Sequence, residues 1–127
     1  MYKIQPSNIS EPKGHYSPAV VHNGLIFVSG QMAIDYETGK AKTETVEEQT
    51  IQCMKNVELI LNAAGSGKEH LIKVTIYVSD EKFWIPVNEA YKAFMGSYRP
   101  ARAIIPVGSF RDEFLIEIEA IAAVAER

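Results

Sequence analysis

The chain has 127 residues, 46% of them hydrophobic, which predicts a single domain, residues 1–127, with one hydrophobic core. The formal net charge is −3, and no basic stripe emerges, so we expect no nucleic-acid partner. The one cysteine, Cys53, excludes an internal disulfide framework and a cysteine-rich metal site. No stretch approaches the roughly 20 apolar residues of a membrane span, and the N-terminal residues lack a secretory apolar segment, so we expect a cytoplasmic protein without a membrane partner.

A hairpin is predicted near the N-terminus. Residues 16–22 and 25–30 have the composition of two strands, and Asn23-Gly24 between them tolerates the positive φ angles of a tight turn. Small polar residues around a glycine predict a second turn at residues 35–40.

A helix is predicted to follow. Thr45 with Glu48 three residues later forms a capping-box pattern, and Gly65 provides a stop. Helical spacing gives this segment one apolar face, made of Val46, Thr50, Cys53, Val57, Ile60, Leu61 and Ala64. Cys53 is therefore interpreted as a core residue rather than a catalytic thiol.

The second half predicts three strands and a helix. Residues 71–79 alternate, which places Ile72, Val74, Ile76 and Val78 on one face. A helix is predicted at residues 84–95, with Pro86 in its first turn, and strands at 101–107 and 114–124. This order predicts an α+β fold in which both helices pack on one face of a mixed sheet.

The last strand leaves one sheet face uncovered. Glu117 and Glu119 share that face with Leu115, Ile121 and Ala123, and no third helix is predicted to shield it. Packing against copies of the same chain would bury this half-apolar face. The alternative is an antiparallel sheet with one solvated side, which is common.

Arg102 is the most informative charged residue. Pro100 favours extended structure before it, so Arg102 begins a strand after a turn. Its charge cannot be removed at accessible pH and needs a partner. That partner is either a carboxylate ligand, held by two parallel hydrogen bonds, or an internal ion pair with Glu117 or Glu119.

Other motifs carry less chemistry. His15, His22 and His70 show no metal-ligand spacing, and residues 65–68 lack the flanking residues of a phosphate loop. Ser29-Gly30-Gln31 ends a hydrophobic strand, where Gly30 would let the backbone approach a ligand closely.

Taken together, five segments resemble the RidA family of reactive-intermediate deaminases, the YjgF-like proteins often labelled translation initiation inhibitor or endoribonuclease L-PSP. The likeness covers essentially the whole chain. The segments are Gly14-His15-Tyr16-Ser17-Pro18-Ala19-Val20, Val28-Ser29-Gly30-Gln31, Val87-Asn88-Glu89-Ala90-Tyr91, Pro100-Ala101-Arg102 and Ile116-Glu117-Ile118-Glu119-Ala120-Ile121-Ala122.

This resemblance implies a chorismate-mutase-like domain with a mixed six-stranded sheet, two helices on one face, and a homotrimer with clefts between subunits. The implied activity is hydrolysis of enamine and imine acids, such as 2-aminoacrylate and 2-iminobutyrate, to 2-keto acids and ammonia. The implied partner is a small carboxylate substrate, and the family uses no metal or organic cofactor.

The resemblance also implies roles for residues. Arg102 would bind the substrate carboxylate, and Glu117 would position and activate water. Asn88 would come from the bordering helix and Trp84 would form an apolar wall, while the cleft would also be lined by Tyr16, Ser29 and Gly30. At the position of Ile104 the family commonly has cysteine, and the main-chain carbonyl there contacts the substrate nitrogen. Because that carbonyl is present whatever the side chain is, the departure concerns substrate range more than the basic reaction.

Two other functions remain open from the sequence. A non-catalytic sensor that binds keto or amino acids would need the same carboxylate clamp at Arg102. A translation inhibitor or endoribonuclease is the other alternative, and the acidic charge balance argues against it.

Overall fold

The computed structural model describes residues 1–125. In chain order the elements are β1 (Tyr2–Ile4), β2 (Ala19–His22), β3 (Leu25–Gln31), β4 (Ile34–Asp35), β5 (Lys40–Ala41), α1 (Val46–Ala63), β6 (Leu71–Val78), α2 (Trp84–Met95), β7 (Ala101–Pro106) and β8 (Ile116–Ala123). Six strands form one sheet in the order β1-β2-β3-β8-β6-β7, and β4 and β5 form a separate hairpin. The β6–β7 pair is parallel and the other pairs of the sheet are antiparallel, so the mixed six-stranded sheet is confirmed.

The predicted turn and cap signals are confirmed. Asn23 and Gly24 have φ angles of 50° and 76°, the left-handed values that the β2–β3 turn requires. Thr45 caps α1, since its hydroxyl oxygen accepts a hydrogen bond from the Glu48 N–H at 3.1 Å.

The core lies between the sheet and the two helices. Cys53, Val57 and Ile60 of α1 are fully buried, as are Val74 and Ile76 of β6. Burying each large aliphatic side chain contributes about 1.5–3 kcal/mol, so this single layer of contacts holds both helices on one face. The prediction that Cys53 belongs to the core is confirmed.

Two buried polar side chains of α1 fix the chain on either side of the core. The Gln49 amide donates to the Glu113 main-chain oxygen at 3.2 Å and accepts from the Leu115 N–H at 2.8 Å, just before β8. The Asn56 amide donates to two main-chain oxygens just after β3, at 3.0 and 2.8 Å. Both segments lead directly to the candidate site.

The strand predicted at residues 16–22 is shorter in the structure. It begins at Ala19, because Pro18 has no N–H to donate to a ladder. The short β1 was not predicted; its three residues carry no clear alternation. The last two strands are also slightly shorter than predicted.

The predicted inward face of β6 is wrong at one residue. Ile72 is 44% exposed, whereas Leu71 is fully buried. The pairing of β6 with β8 shifts register between Leu71 and Lys73, and this irregularity turns the side chains at the start of the strand.

The uncovered sheet face is confirmed. Glu117, Glu119 and Ile121 alternate with fully or nearly fully buried residues of β8, so they point away from the helices. Phe27, opposite Ile121, is 42% exposed, and Ile105 is 40% exposed. Within residues 1–125 neither helix packs on this side.

Candidate active site

The two residues proposed for chemistry lie on opposite faces of the sheet. Arg102 on β7 is paired with Val74, which is fully buried beneath the helices. Glu117 on β8 is paired with Tyr77, on the uncovered face. Paired residues share a face, so Arg102 is on the face of Val74 and Glu117 is on the face of Tyr77. Because β6 lies between β7 and β8, the two residues are also separated by roughly 10 Å across the sheet. A small ligand on Arg102 therefore cannot contact Glu117 of the same chain.

Arg102 is held by three residues of α2. Its Nη1 donates to the Asn88 Oδ1 at 2.9 Å. Its guanidinium carbon lies 4.9 Å from the Tyr91 ring centre and 5.7 Å from that of Trp84. Residues 84, 88 and 91 lie on one side of the helix by their spacing, and the two rings attract the cation through their π faces. We call Arg102, Asn88, Trp84 and Tyr91 the arginine group.

The internal ion pair considered for Arg102 is wrong for the described residues. Between residues 1 and 125, the salt bridges join His70 to Glu69 and Arg111 to Asp112, and none involves Arg102. A guanidinium has five N–H donors, and the side-chain hydrogen bond of Arg102 to Asn88 uses one. The arrangement leaves donors for a carboxylate.

A cleft of about 730 Å³ opens beside the arginine group. It lies between the C-terminal half of α2 and the start of β7. Of the described residues its lining includes Lys92 and Arg99 but no carboxylate. The Tyr91 hydroxyl is buried there and has no hydrogen-bond partner among residues 1–125, and burial raises the pKa of Tyr91 to about 12. The hydroxyl therefore remains a neutral donor in a positively charged cleft.

Glu117 lies against a bulge in β3. The β3–β8 register shifts between Val28 and Gln31, which leaves Ser29 and Gly30 as the β3 bulge. A Cβ atom on Gly30 would be 2.6 Å from the Glu117 Oε2, a distance that real Cβ atoms essentially never show, so any side chain there would force the carboxylate to move. Glycine therefore allows the Glu117 carboxylate to lie where it does against the backbone. We call Glu117 and the β3 bulge the glutamate group.

The surroundings of Glu117 favour its protonated form. Burial and then the charge of Glu119 raise the pKa of Glu117, while Arg111 opposes them. Glu119 is held beside it, because the Tyr77 hydroxyl donates a short hydrogen bond to its carboxylate. A carboxylate with a raised pKa is suited to exchanging protons nearer neutrality.

The β3 bulge is held by main-chain contacts. The Ser29 hydroxyl donates to the Ser17 oxygen at 2.6 Å, and the Ser29 N–H donates to the Pro18 oxygen at 2.9 Å. Tyr16 lies nearby, 56% exposed, in a second cleft of about 620 Å³ that also includes Tyr36 and Arg111.

The structure thus divides the predicted site residues into two sets. Arg102, Asn88 and Trp84 are together, and Ile104 follows on the same face of β7, packed in part against the core. The other predicted residues are on the Glu117 side of the molecule: Tyr16, Ser29 and Gly30.

Three neighbours of the site were not predicted as site residues. Tyr91 belongs to the helix predicted at residues 84–95, and its spacing of three residues from Asn88 could have placed it beside Arg102. Arg111 and Tyr36 lie in loops, and no sequence pattern indicates that they approach Glu117 or the β3 bulge.

In residues 1–125 the His, Cys, Asp and Glu side chains form no group that could hold a metal ion. The helices in that range are too short or too polar to span a bilayer.

Comparison with known proteins identifies the family of this chain. The family model described as Endoribonuclease L-PSP matches residues 7–124. Reactive Intermediate Deaminase A, chloroplastic, from Arabidopsis thaliana is 39% identical over 111 residues, which are 87% of this chain and 59% of that protein. The chain therefore belongs to the RidA family, the YjgF-like proteins.

Two solved structures support the same assignment. The YjgF gene product from E. coli has a TM-score of 0.89 and 32% identity, covering 97% of this chain and 98% of that chain. E. coli TdcF with bound serine has a TM-score of 0.89 and 28% identity, covering 98% of this chain and 100% of that chain.

Proposed function

We propose that this protein hydrolyses enamine and imine acids, such as 2-aminoacrylate and 2-iminobutyrate, to 2-keto acids and ammonia. The reaction takes place in clefts between the subunits of a homotrimer. The observation that carries the proposal is the division of the site: an arginine and a glutamate suited to one reaction lie on opposite faces of one sheet.

A second copy of the chain would complete the site. The arginine group lies at the β7 edge of the sheet, and the glutamate group lies on the uncovered, half-apolar face. If the β7 edge of one copy lies over the uncovered face of the next, Arg102 and Glu117 of different copies face one cleft. Phe27 and Ile105 are both exposed in the single chain, and the same contact would bury at least one of them.

The chemistry needs no covalent intermediate with the protein. Arg102 binds the substrate carboxylate and so fixes the imine carbon. The substrate reacts as the protonated iminium, which an enamine reaches by taking a proton on its terminal carbon from solvent. Glu117 takes a proton from water as the water oxygen bonds to the iminium carbon and the C=N electron pair moves to nitrogen, giving a neutral tetrahedral amino alcohol. Glu117 then gives that proton to the nitrogen. The C–N bond breaks with its electron pair leaving on ammonia, while the hydroxyl oxygen forms the carbonyl and passes its proton to Glu117, which releases it to solvent.

The comparisons support a carboxylate ligand and a deaminase. The Arabidopsis relative is named as a reactive intermediate deaminase. TdcF binds serine, a small molecule with a carboxylate and a nitrogen on the adjacent carbon. The carboxylate of serine matches the group that Arg102 would bind here. Its nitrogen-bearing carbon matches the carbon to which Glu117 would direct water.

The test is to generate 2-aminoacrylate in situ with a serine dehydratase and to follow pyruvate release. Wild type should accelerate release, and Arg102→Ala or Glu117→Gln should each reduce kcat/KM by about 100-fold or more. Glu58→Gln on α1 removes the same charge away from both groups and should retain activity. No acceleration by the purified wild type would exclude the deaminase.

A sensor that binds without turnover is the second candidate, favoured by the serine bound to TdcF. Its signature would be binding of 2-ketobutyrate that is lost in Arg102→Ala, with no imine hydrolysis by wild type.

The description of the matching family, Endoribonuclease L-PSP, also calls for an RNA-cleavage assay, with Glu117→Gln as the control for a contaminating nuclease. The net charge of −3 argues against that activity.

A further inference from the structure

We infer that Tyr36 is a positioning residue for the reaction: through Gln31 it holds the β3 bulge against Glu117. The inference rests on the proposed function, because it assigns a role within that same site. Within residues 1–125 the Tyr36 hydroxyl bonds to Gln31 rather than to either group, so it would act by fixing the backbone that Glu117 contacts.

A chain of hydrogen bonds joins Tyr36 to the bulge. The Tyr36 hydroxyl donates to the Gln31 Oε1 at 2.8 Å, and the Gln31 Nε2 donates to the Ser29 main-chain oxygen at 3.1 Å. Gln31 is only 4% exposed, so water is a poor substitute for either partner. Ser29 is the first residue of the bulge, and Gly30, the second, meets the Glu117 carboxylate.

Tyr36 sets the orientation of the Gln31 amide. The Ser29 oxygen can only accept a hydrogen bond, so it must face the amide nitrogen of Gln31. The Gln31 oxygen then needs a donor of its own, and the Tyr36 hydroxyl supplies it. Without that hydroxyl the buried oxygen loses its partner, and a flipped amide would place two oxygens against each other.

The segment that carries Tyr36 is itself anchored to the core. Tyr36 follows β4, whose Ile34 oxygen accepts a hydrogen bond from the buried Asn56 of α1 at 2.8 Å. The Lys42 N–H, just after β5, donates to the Ala33 oxygen at 2.7 Å, which closes this hairpin. The hydroxyl is therefore presented from a fixed support rather than from a free loop.

The bulge controls both the direction and the burial of the Glu117 carboxylate. A Cβ added to Gly30 would lie 2.6 Å from the Glu117 Oε2, so the backbone of the bulge runs close to the carboxylate that would activate water. A small displacement of the bulge would misdirect the carboxylate and admit solvent. The arginine group of the same cleft would come from the neighbouring copy, where Arg102 is held by residues of α2 and not by the bulge, so carboxylate binding would be retained.

The experiment measures imine hydrolysis by wild type, Tyr36→Phe, Gln31→Leu and the double variant. Tyr36→Phe should lower kcat by about 10-fold with KM within about twofold, because carboxylate binding by Arg102 is intact. The low-pH limb of kcat/KM should move to lower pH, because a more solvated Glu117 ionises more easily. The double variant should equal Gln31→Leu alone, since both changes break one chain of bonds.

Ser66→Ala is the matched control. It removes a hydroxyl that donates to the Ala123 main-chain oxygen at 2.6 Å, far from Glu117 at the other end of β8. It should lower thermal stability without moving the pH limb. If Gln31→Leu fails to fold, Gln31→Asn, which shortens the same amide, takes its place.

The outcomes separate the two proposals. An active wild type whose kcat and pH limb are unchanged in Tyr36→Phe would overturn this inference and leave the deaminase standing. Effects of Tyr36→Phe and Gln31→Leu that multiply in the double variant would also overturn it. A wild type without turnover would overturn the function, and this role with it.

Discussion

The arginine group and the glutamate group are built in different ways. Arg102 is oriented by side chains of one helix, through the Asn88 amide and the Trp84 and Tyr91 rings. Glu117 lies against backbone, at a bulge where the missing Cβ of Gly30 leaves room for its carboxylate. The first group depends on which residues α2 presents, and the second on the path of β3.

The electrostatics of the two groups are also opposite. In the part of the chain that the structure describes, the cleft at Arg102 is lined by cations and by no carboxylate, so it attracts an anion. Glu117 has Glu119 beside it, and burial together with that second charge raises its pKa. One group is suited to binding and the other to proton transfer, and the sheet between them keeps their opposite charges from pairing within one chain.

The largest effect expected from this comparison is recovery of activity by mixing two inactive variants. Arg102→Ala and Glu117→Gln should each be nearly inactive alone. If one cleft takes its arginine from one subunit and its glutamate from the next, random mixed trimers carry both wild-type residues in about one quarter of their clefts. Activity after co-refolding of the two variants, measured by pyruvate release, should approach that fraction of wild type.

The control is to mix each variant with itself through the same refolding. A second control is the doubly substituted chain, which supplies neither residue and should rescue neither variant. Absence of recovery in mixtures shown to have exchanged subunits would contradict the division of the site between copies.

A smaller effect is expected in the pH dependence. Glu117 must be ionised to accept a proton, so kcat/KM should fall as pH drops through its pKa, at higher pH than the ordinary value of 4.5. Arg111→Ala removes a charge that lowers this pKa, so the limb should move to higher pH. Glu119→Gln removes a charge that raises it, so the limb should move to lower pH. Shifts of the same sign in both variants would contradict the assignment to Glu117.

Much of the fold could be predicted from local patterns. The Asn23-Gly24 turn, the Thr45 cap and the buried face of α1 each depend on neighbouring residues, and each is confirmed. The uncovered face of β8 follows from the same two-residue alternation and the number of helices. The exposure of Ile72 could not be predicted, because the alternation of residue types along one strand does not reveal a register shift between paired strands.

The site was less predictable because it depends on pairing between distant strands. That Arg102 and Glu117 point to opposite faces follows only from the registers of β7 with β6 and of β6 with β8. Tyr36 and Gln31 are five residues apart, and no periodic pattern indicates that their side chains meet. The resemblance named the residues, and the three-dimensional pairing, which separates them on two faces, is the ground for proposing a site shared between copies.

The smallest expected effect is on stability. The ionised form of Glu117, which the proposed reaction needs, destabilises the folded protein. A folded-state pKa above the unfolded value means that the folded protein prefers the protonated carboxyl. That preference stabilises the fold below the ordinary pKa of 4.5 and is lost as pH rises through the raised value, so the ionised group is a cost at neutral pH. Glu117→Gln should therefore raise the thermal midpoint at pH 7.5 by about 2–4 °C, and the gain should vanish near pH 4. Calorimetry at both values tests it, and a gain of equal size at both would mean that the glutamine improves packing rather than removing a buried charge.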